Sequence, residues 1–151
     1  LIEKMVLLVS PQTREKRIEI KREYDPAAEQ IWMDAEKMKQ VILNLLSTAL
    51  EFTPQDGKIS ITTQSHSENG DLRTMSIEVS DNGVGIPPAD MNKVFDPYFT
   101  TKHKSSMHQG TGLGLPITYQ HVQDHRGTIE LKSKVNEGTT FLITIPVKPL
   151  P

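Results

Sequence analysis

Three glycines stand at every second position in GTGLGLPI (110–117), and a shorter glycine motif, DNGVG, occupies residues 81–85. Glycine lets a backbone come close to a flat ring or a phosphate. Residues 110–114 precede a predicted helix, where free N–H groups and the helix dipole attract phosphate. Asp81 leaves a predicted apolar strand, and its carboxylate could accept a hydrogen bond from an exocyclic amine. Together the two motifs could hold the base and the phosphates of one nucleotide.

Two familiar glycine-rich nucleotide motifs do not fit. A dinucleotide fingerprint needs G-x-G-x-x-G between a strand and a helix, whereas residues 110–114 read G-x-G-x-G after a polar stretch. No P-loop lysine follows these glycines. Taken alone, the run could be a turn before a helix, and Asp81 could be a turn former.

The composition restricts the class of protein. The 151 residues suffice for one domain with its own core. A net charge of −2 and an aromatic content of 5% offer no surface for nucleic acid, so we expect no such partner. The absence of cysteine excludes disulfides and fits a reducing compartment. Apolar runs are too short to span a bilayer. We therefore expect a cytoplasmic domain cut from a larger protein, which a membrane-anchored receptor could carry on its cytoplasmic side.

Apolar periodicity predicts the elements that must position these motifs. Residues 1–9 are predicted as the end of a helix stopped by Ser10-Pro11. A long helix is predicted from an Asp34 N-cap to Thr53, and another over 117–127. Alternation predicts strands over 17–25, 30–34, 58–64, 74–80, 128–133 and 139–147, with hairpins across the loops 65–71 and 135–138. Few strand–helix–strand crossovers occur, so we expect an α+β fold with a largely antiparallel sheet and helices on one face.

Four segments, in this order, resemble the boxes of the ATP-binding catalytic domain of sensor histidine kinases. Residues 34–54 resemble the asparagine box, 81–87 the first glycine box, 95–102 the phenylalanine box and 110–117 the second glycine box. The resemblance spans residues 11–147. It implies the Bergerat fold of the wider ATPase group, a two-layer α/β sandwich in which helices cover one face of a mixed, mostly antiparallel sheet. It also implies the cofactors ATP and Mg²⁺.

The resemblance implies roles for the matched positions. Asp81 would receive the adenine amino group, and Thr139 would assist through its hydroxyl or a water molecule. Asn44 would face the phosphates and the magnesium ion. The whole expected ATP site is Asn44, Thr48, Asp81, Gly83, Gly85, Ile86, Phe99, Thr101, Lys102, Gly110, Thr111, Gly112, Leu113, Gly114, Leu115 and Thr139.

A cover over the nucleotide is expected from residues 87–109, which are rich in Lys, His and Ser. By the resemblance, Phe95 and Phe99 would anchor this lid, although both could be ordinary core residues. Lys102 could reach the terminal phosphates or could simply be solvated. The main chain of residues 110–114 would wrap the phosphate chain.

Two positions depart from the family pattern. Thr48 stands one turn after Asn44, where a second asparagine usually binds magnesium, and Glu51 stands where Lys or Arg usually faces the phosphates. The spacing i, i+4 and i+7 puts all three on one helix face. A carboxylate about 4 Å from a phosphate charge costs up to about 4 kcal/mol at an effective dielectric of about 20, unless magnesium recruits it as an oxygen ligand. By the resemblance, Asn44 and Thr48 are the expected metal ligands, and Asn44 and Glu51 are the catalytic candidates.

The resemblance implies a protein-histidine kinase. It would transfer the γ-phosphoryl group of ATP to a histidine on a separate dimerisation and histidine-phosphotransfer helical hairpin of the same protein. Because of Thr48 and Glu51, the alternative is a degenerate nucleotide-binding or scaffold module with weak or no kinase activity. ATP hydrolysis is less expected, because the related ATPases place a glutamate base one turn before the metal-binding asparagine, where this chain has Asn44.

The resemblance also implies an organisation and partners. Residues 1–10 would end a linker helix from a dimerisation domain, and residues 11–151 would form the ATP-binding catalytic domain. The isolated domain is expected to be a monomer and the full-length protein a homodimer. The expected second partner is the receiver domain of a response regulator.

Overall fold

The computed structural model describes residues 1–26, 33–96 and 114–147. Over these residues the helices and strands surround one apolar core. The elements, in chain order, are α1 (Ile2–Leu8), α2 (Ser10–Lys16), β1 (Glu19–Glu23), α3 (Ala35–Phe52), β2 (Lys58–Glu68), β3 (Asp71–Asp81), a 3₁₀ turn (Pro88–Asp90), α4 (Gly114–Asp124), β4 (Thr128–Lys134) and β5 (Gly138–Pro146). None of the helices described is both long and apolar enough to cross a bilayer.

The five strands of the described residues form one sheet in the order β1-β2-β3-β5-β4. Only β1 and β2 pair in parallel, and the other neighbours are antiparallel. Alternate residues such as Ile61, Ile77 and Ile143 are buried on the face that packs against the helices. The opposite face carries polar residues, and a hydrogen bond of 2.7 Å joins Ser80 Oγ to Thr140 Oγ1. The predicted α+β fold, with a mostly antiparallel sheet covered on one face, is confirmed.

Helix α3 lies at the centre of the helical layer and packs against α1, α4 and β3. The Asp34 carboxylate accepts the Lys37 N–H at 3.1 Å, which confirms the predicted N-cap. Seven side chains, at helical spacing, are buried: Met38, Val41, Ile42, Leu45, Leu46, Ala49 and Leu50. Each large one contributes about 1.5–3 kcal/mol by burial. At the other end, Lys16 Nζ donates to the carbonyls of Leu50 and Thr53, at 2.6 and 3.1 Å.

Near the N-terminus the structure differs from the prediction. A helix does end at Leu8, but Ser10 and Pro11 begin a second helix instead of a loop. Proline is tolerated there because the first N–H groups of a helix have no partner within it. Of the strand predicted over 30–34, residues 30–32 lie outside the described residues, and Met33 and Asp34 are not in a strand.

The β2–β3 hairpin is tighter than predicted, and the loop expected over 65–71 was wrong. The two strands extend to Glu68 and Asp71, so that only Asn69-Gly70 forms the turn. Both turn residues have positive φ, 53° and 81°. Asn-Gly is the preferred pair for such a turn, because its backbone twist matches that of the flanking strands.

The C-terminal elements follow the prediction closely. β4 and β5 form the expected hairpin. Helix α4 ends at Asp124, three residues before the expected Gly127, since Arg126 already adopts a left-handed φ of 58°. Thr118 and Val122 are its fully buried residues.

Candidate functional site

A buried carboxylate lies where β3 ends. Asp81 is 8% exposed and stands opposite Thr139 in the β3–β5 register. Its Oδ1 accepts the Gly83 N–H at 2.8 Å, and the Thr139 N–H also donates to the carboxylate. Burial raises the pKa of Asp81, and the two main-chain bonds only partly oppose this rise. The result is an oriented acceptor whose charge is incompletely compensated by the protein.

The glycines after Asp81 permit close packing of main chain on main chain. A Cβ at Gly83 would overlap the Phe52 carbonyl oxygen at the end of α3. Gly85 has a left-handed φ of 76°, and a Cβ there would overlap the Lys134 carbonyl in the β4–β5 hairpin. The sequence suggested that these glycines make room for a ring. The structure adds a reason internal to the protein, because they bring residues 82–86 against two other elements.

A residue that the sequence analysis missed organises this region. Ser133 Oγ accepts the Ile86 N–H at 2.7 Å, donates to the Gly138 carbonyl at 3.0 Å and lies 2.9 Å from Thr139 Oγ1. It thereby joins the glycine motif that follows Asp81 to the start of β5. The sequence did carry a clue to this role. Alternation along β4 places Ser133 on the same face as Ile129 and Leu131, so a polar side chain stands at an inward-facing position.

A second group of polar side chains joins α3 to the first turn of α4. Asn44 Nδ2 donates to the Gly114 carbonyl at 3.0 Å and to Thr118 Oγ1 at 3.2 Å. Thr48 Oγ1 donates to the Asn44 carbonyl at 2.8 Å. Asn44, Thr48 and Glu51 lie on one continuous helix and are all half-buried, as the i, i+4, i+7 spacing predicts. Thr118 is a second residue that the sequence analysis did not select.

Phe95 packs between two elements. Its ring centroid lies 5.7 Å from that of Tyr119 on α4 and 6.4 Å from that of Phe141 on β5, and the second pair is edge-on. Phe95 therefore packs against the core. Most of the predicted lid that follows it, from residue 97 on, lies outside the described residues.

The structure brings the described candidates into two groups linked by α3. Asp81, Gly83, Gly85, Ile86 and Thr139 surround the end of β3. Asn44, Thr48 and Gly114 lie between α3 and α4, and Leu115 packs against the core. At a rise of about 1.5 Å per residue, α3 carries Asn44 roughly 12 Å from Phe52, the residue that meets Gly83. The other candidates lie outside the described residues: Phe99, Thr101, Lys102, Gly110, Thr111, Gly112 and Leu113.

Comparison with known proteins agrees with this arrangement. A family model described as histidine kinase-, DNA gyrase B-, and HSP90-like ATPase matches residues 33–149. The signal transduction histidine-protein kinase AtoS of Escherichia coli is 35% identical over 149 residues, covering 99% of this chain and 23% of AtoS. The sensor histidine kinase WalK of Bacillus subtilis is 34% identical over 137 residues, covering 90% of this chain and 22% of WalK.

Solved structures give the same result. The nucleotide-free catalytic domain of histidine kinase ThkA has a TM-score of 0.79 and 32% identity, covering 98% of this chain and 92% of that domain. ThkA has also been solved in complex with a response regulator protein, TrrA; that chain has a TM-score of 0.75 and 30% identity, covering 98% of this chain and 40% of its own length.

The fold and these matches define a class: the chain belongs to the family of histidine kinase-, DNA gyrase B- and HSP90-like ATPases. AtoS, WalK and the ThkA catalytic domain are all histidine kinases, so within that family this chain is an ATP-binding catalytic domain of the histidine kinase type. The predicted resemblance and the predicted fold class are both confirmed. The chain spans only 23% to 30% of the length of the first curated relatives.

Proposed function

We propose that this domain binds ATP with Mg²⁺ and transfers the γ-phosphoryl group to a histidine on a helical hairpin elsewhere in the same protein. The observation that carries this proposal is the buried Asp81 carboxylate, which two main-chain N–H groups hold at the end of β3. A carboxylate fixed in this way can accept an adenine amino hydrogen. Thr139, directly opposite Asp81 and 2% exposed, is the residue we assign to assist it.

The α3 residues fit a hard cation. Mg²⁺ prefers oxygen ligands, and the amide oxygen of Asn44 and the hydroxyl of Thr48 are of that type. The Thr48 hydroxyl proton is directed to the Asn44 carbonyl, so its oxygen lone pairs remain for a metal ion or a metal-bound water. Magnesium, when bound, would neutralise negative charge on the β- and γ-phosphates. Gly114, at the start of α4, is the described end of the segment that we assign to the phosphate chain.

The chemistry asked of the protein is positioning. A histidine nitrogen attacks the γ-phosphorus while the bond to the β–γ bridging oxygen breaks, and ADP leaves with that electron pair. Asp81 and Thr139 would orient the adenine, and Asn44 would orient the phosphates for in-line attack. Neither the described residues nor the comparisons add an observation in favour of the degenerate alternative.

We assign residues 1–10 to the end of a linker helix and residues 11–151 to the catalytic domain. Two observations support a linker that is anchored to the domain. Met5 and Val6 of α1 are buried in the core, and Glu3 accepts from Arg22 Nε at 2.9 Å and from the Tyr24 hydroxyl at 2.7 Å. We also propose that the full-length protein is a cytoplasmic or membrane-anchored homodimer and that its partner is a response regulator receiver domain.

Isothermal titration with ATP in magnesium and in EDTA tests the proposal. We expect binding that magnesium strengthens, followed by transfer of phosphate to a supplied dimerisation hairpin. No binding in either buffer would overturn the whole proposal. Intact binding with no transfer to the hairpin would overturn the kinase part alone.

A further inference from the structure

The amide group of Asn44 is held by two acceptors on α4. One is the Gly114 carbonyl, at 3.0 Å from Nδ2, and the other is Thr118 Oγ1, at 3.2 Å. A primary amide nitrogen can donate to both acceptors, which lie 2.9 Å apart on the same side of it. Because a carbonyl oxygen cannot donate, the nitrogen must face α4 and Oδ1 must face away from the Gly114 carbonyl.

The Thr118 hydroxyl completes this arrangement. Its own proton is donated to the Gly114 carbonyl at 2.9 Å, which leaves an oxygen lone pair for the Asn44 amide. Thr118 is 0% exposed and Val122, one turn later, is equally buried. Valine has nearly the shape of threonine, so packing alone does not require a hydroxyl at this buried position.

Gly114 places no side chain beside the Asn44 amide oxygen. Among the described residues outside α4, a Cβ built at Gly114 would first meet Asn44, with Oδ1 and Cγ both at 3.7 Å. The missing side chain therefore leaves space beside Oδ1 at the start of α4, next to the segment that we assign to the phosphates.

We propose that Thr118 is a positioning residue, which orients the Asn44 carboxamide so that Oδ1 faces the Mg²⁺–nucleotide complex. This inference rests on the proposed function. It assigns to Thr118 no contact with the nucleotide: the residue acts only through Asn44. Removing the hydroxyl takes away one of the two acceptors of the Asn44 amide nitrogen, a loss on the scale of one net hydrogen bond. The magnesium-dependent gain in nucleotide affinity should then fall about three- to tenfold.

Three variants separate positioning from packing. Thr118→Val keeps the shape and removes the hydroxyl, whereas Thr118→Ser keeps the hydroxyl and removes a buried methyl group. Thr13→Val is the matched control, because Thr13 is a 9% exposed helical threonine that donates to the Ser10 carbonyl at 2.9 Å on α2. If the role of Thr118 is purely structural, the loss of nucleotide affinity should follow the loss of stability, and Thr118→Ser should lose more. If Thr118 positions Asn44, the variant without the hydroxyl, Thr118→Val, should lose more.

The test measures the affinity for a non-hydrolysable ATP analogue by titration, with Mg²⁺ and with EDTA, and the thermal unfolding midpoint of each variant. We expect Thr118→Val to lose most of the magnesium-dependent gain while its affinity in EDTA is unchanged. Thr118→Ser and Thr13→Val should keep that gain. In the nucleotide-free protein, NMR should show the two Asn44 side-chain amide hydrogens shifted or exchange-broadened by Thr118→Val but not by Thr118→Ser.

The outcomes separate this inference from the proposed function. If the wild-type domain binds the analogue with no magnesium effect or not at all, the proposed metal site fails and this inference fails with it. If wild type shows the magnesium effect and Thr118→Val shows it undiminished, only the role of Thr118 is overturned. Equal loss in the serine and valine variants would likewise reduce Thr118 to a packing residue.

Discussion

Asp81 and Thr139 lie opposite each other in the β3–β5 register, and the Thr139 N–H donates to the Asp81 carboxylate. The Gly83 N–H is the second main-chain donor, at 2.8 Å. These bonds fix the direction of the carboxylate but do not cancel the effect of burial, which raises the pKa of Asp81. A ligand N–H at this point would therefore be a favourable third partner.

Asp81→Asn should abolish most nucleotide affinity without unfolding the domain. The amide keeps an oxygen that can accept from the main chain, but it loses the charge. A charge-assisted hydrogen bond contributes about 1.5–3 kcal/mol, which corresponds to a roughly ten- to hundredfold weaker affinity. Titration with ATP measures this effect. Asp71→Asn is the control, since that side chain is 76% exposed at the other end of β3. Equal ATP affinity in the two variants would mean that Asp81 does not contact the nucleotide.

The raised pKa of Asp81 predicts opposite pH trends for stability and for binding. The folded chain holds the Asp81 proton more tightly than the unfolded chain. The contribution of Asp81 to the free energy of unfolding is therefore present below the ordinary Asp pKa near 3.8 and is lost as pH rises through the folded-state value. Nucleotide affinity should instead fall as pH drops through this same window, because a protonated carboxyl accepts less well.

Denaturant unfolding and ATP titration between about pH 4 and 7 check both trends, with Asp81→Asn as the baseline. Relative to that variant, wild type should gain stability and lose affinity as pH falls. If wild type and variant follow parallel curves for both quantities, Asp81 does not titrate in the folded domain with a raised pKa.

Gly85→Ala should destabilise the fold more than Gly70→Ala. Both glycines have positive φ, 76° and 81°, so alanine is strained at either position by roughly 1–2 kcal/mol. A Cβ at Gly70 meets nothing within 4 Å, whereas one at Gly85 overlaps the main chain of Lys134. Overpacking adds about 1–3 kcal/mol at Gly85 alone. Urea unfolding of the two variants gives the difference, and equal losses would mean that the close approach to Lys134 is not needed.

Thr48→Asn should strengthen nucleotide binding in magnesium by about threefold or more, the scale of one added polar contact. An amide oxygen reaches further from α3 than the Thr48 hydroxyl does. Ser47→Asn, at the neighbouring exposed position, is the control. Titrations with and without magnesium give the comparison. No change in Thr48→Asn would mean that position 48 is not close to the metal ion.

Lys16→Met should lower the free energy of unfolding by about 1–2 kcal/mol, because the ammonium group donates to two carbonyls at the C-terminal end of α3. Methionine retains much of the apolar stem and removes only the charged donor. Lys4→Met, on the exposed side of α1, should change stability by less than about 0.5 kcal/mol. Guanidinium unfolding measures both, and equal effects would contradict the capping role.

Local pattern accounts for much of the fold. The apolar spacing that follows Asp34 predicts α3, because residues three or four apart share one face of a helix. Alternation predicts the core strands because every second residue of a strand lies on the same face of the sheet. The β2–β3 turn was mispredicted although its sequence contains the right indication. The polar residues around Asn69-Gly70 suggested a long loop, whereas Asn-Gly itself is a preferred pair for a tight turn.

The candidate site also contains residues that local pattern predicts and others that it does not. Sequence pattern was enough to predict Asp81 at the end of a strand, the glycines beside it and the face of α3 that bears Asn44, since each is a feature of residues close together in the chain. Their partners became visible in the folded domain alone: Thr118 is 74 positions from Asn44, and Ser133 is 47 positions from Ile86. Local periodicity cannot reveal such contacts, because they depend on which buried faces pack together once the sheet and helices have assembled.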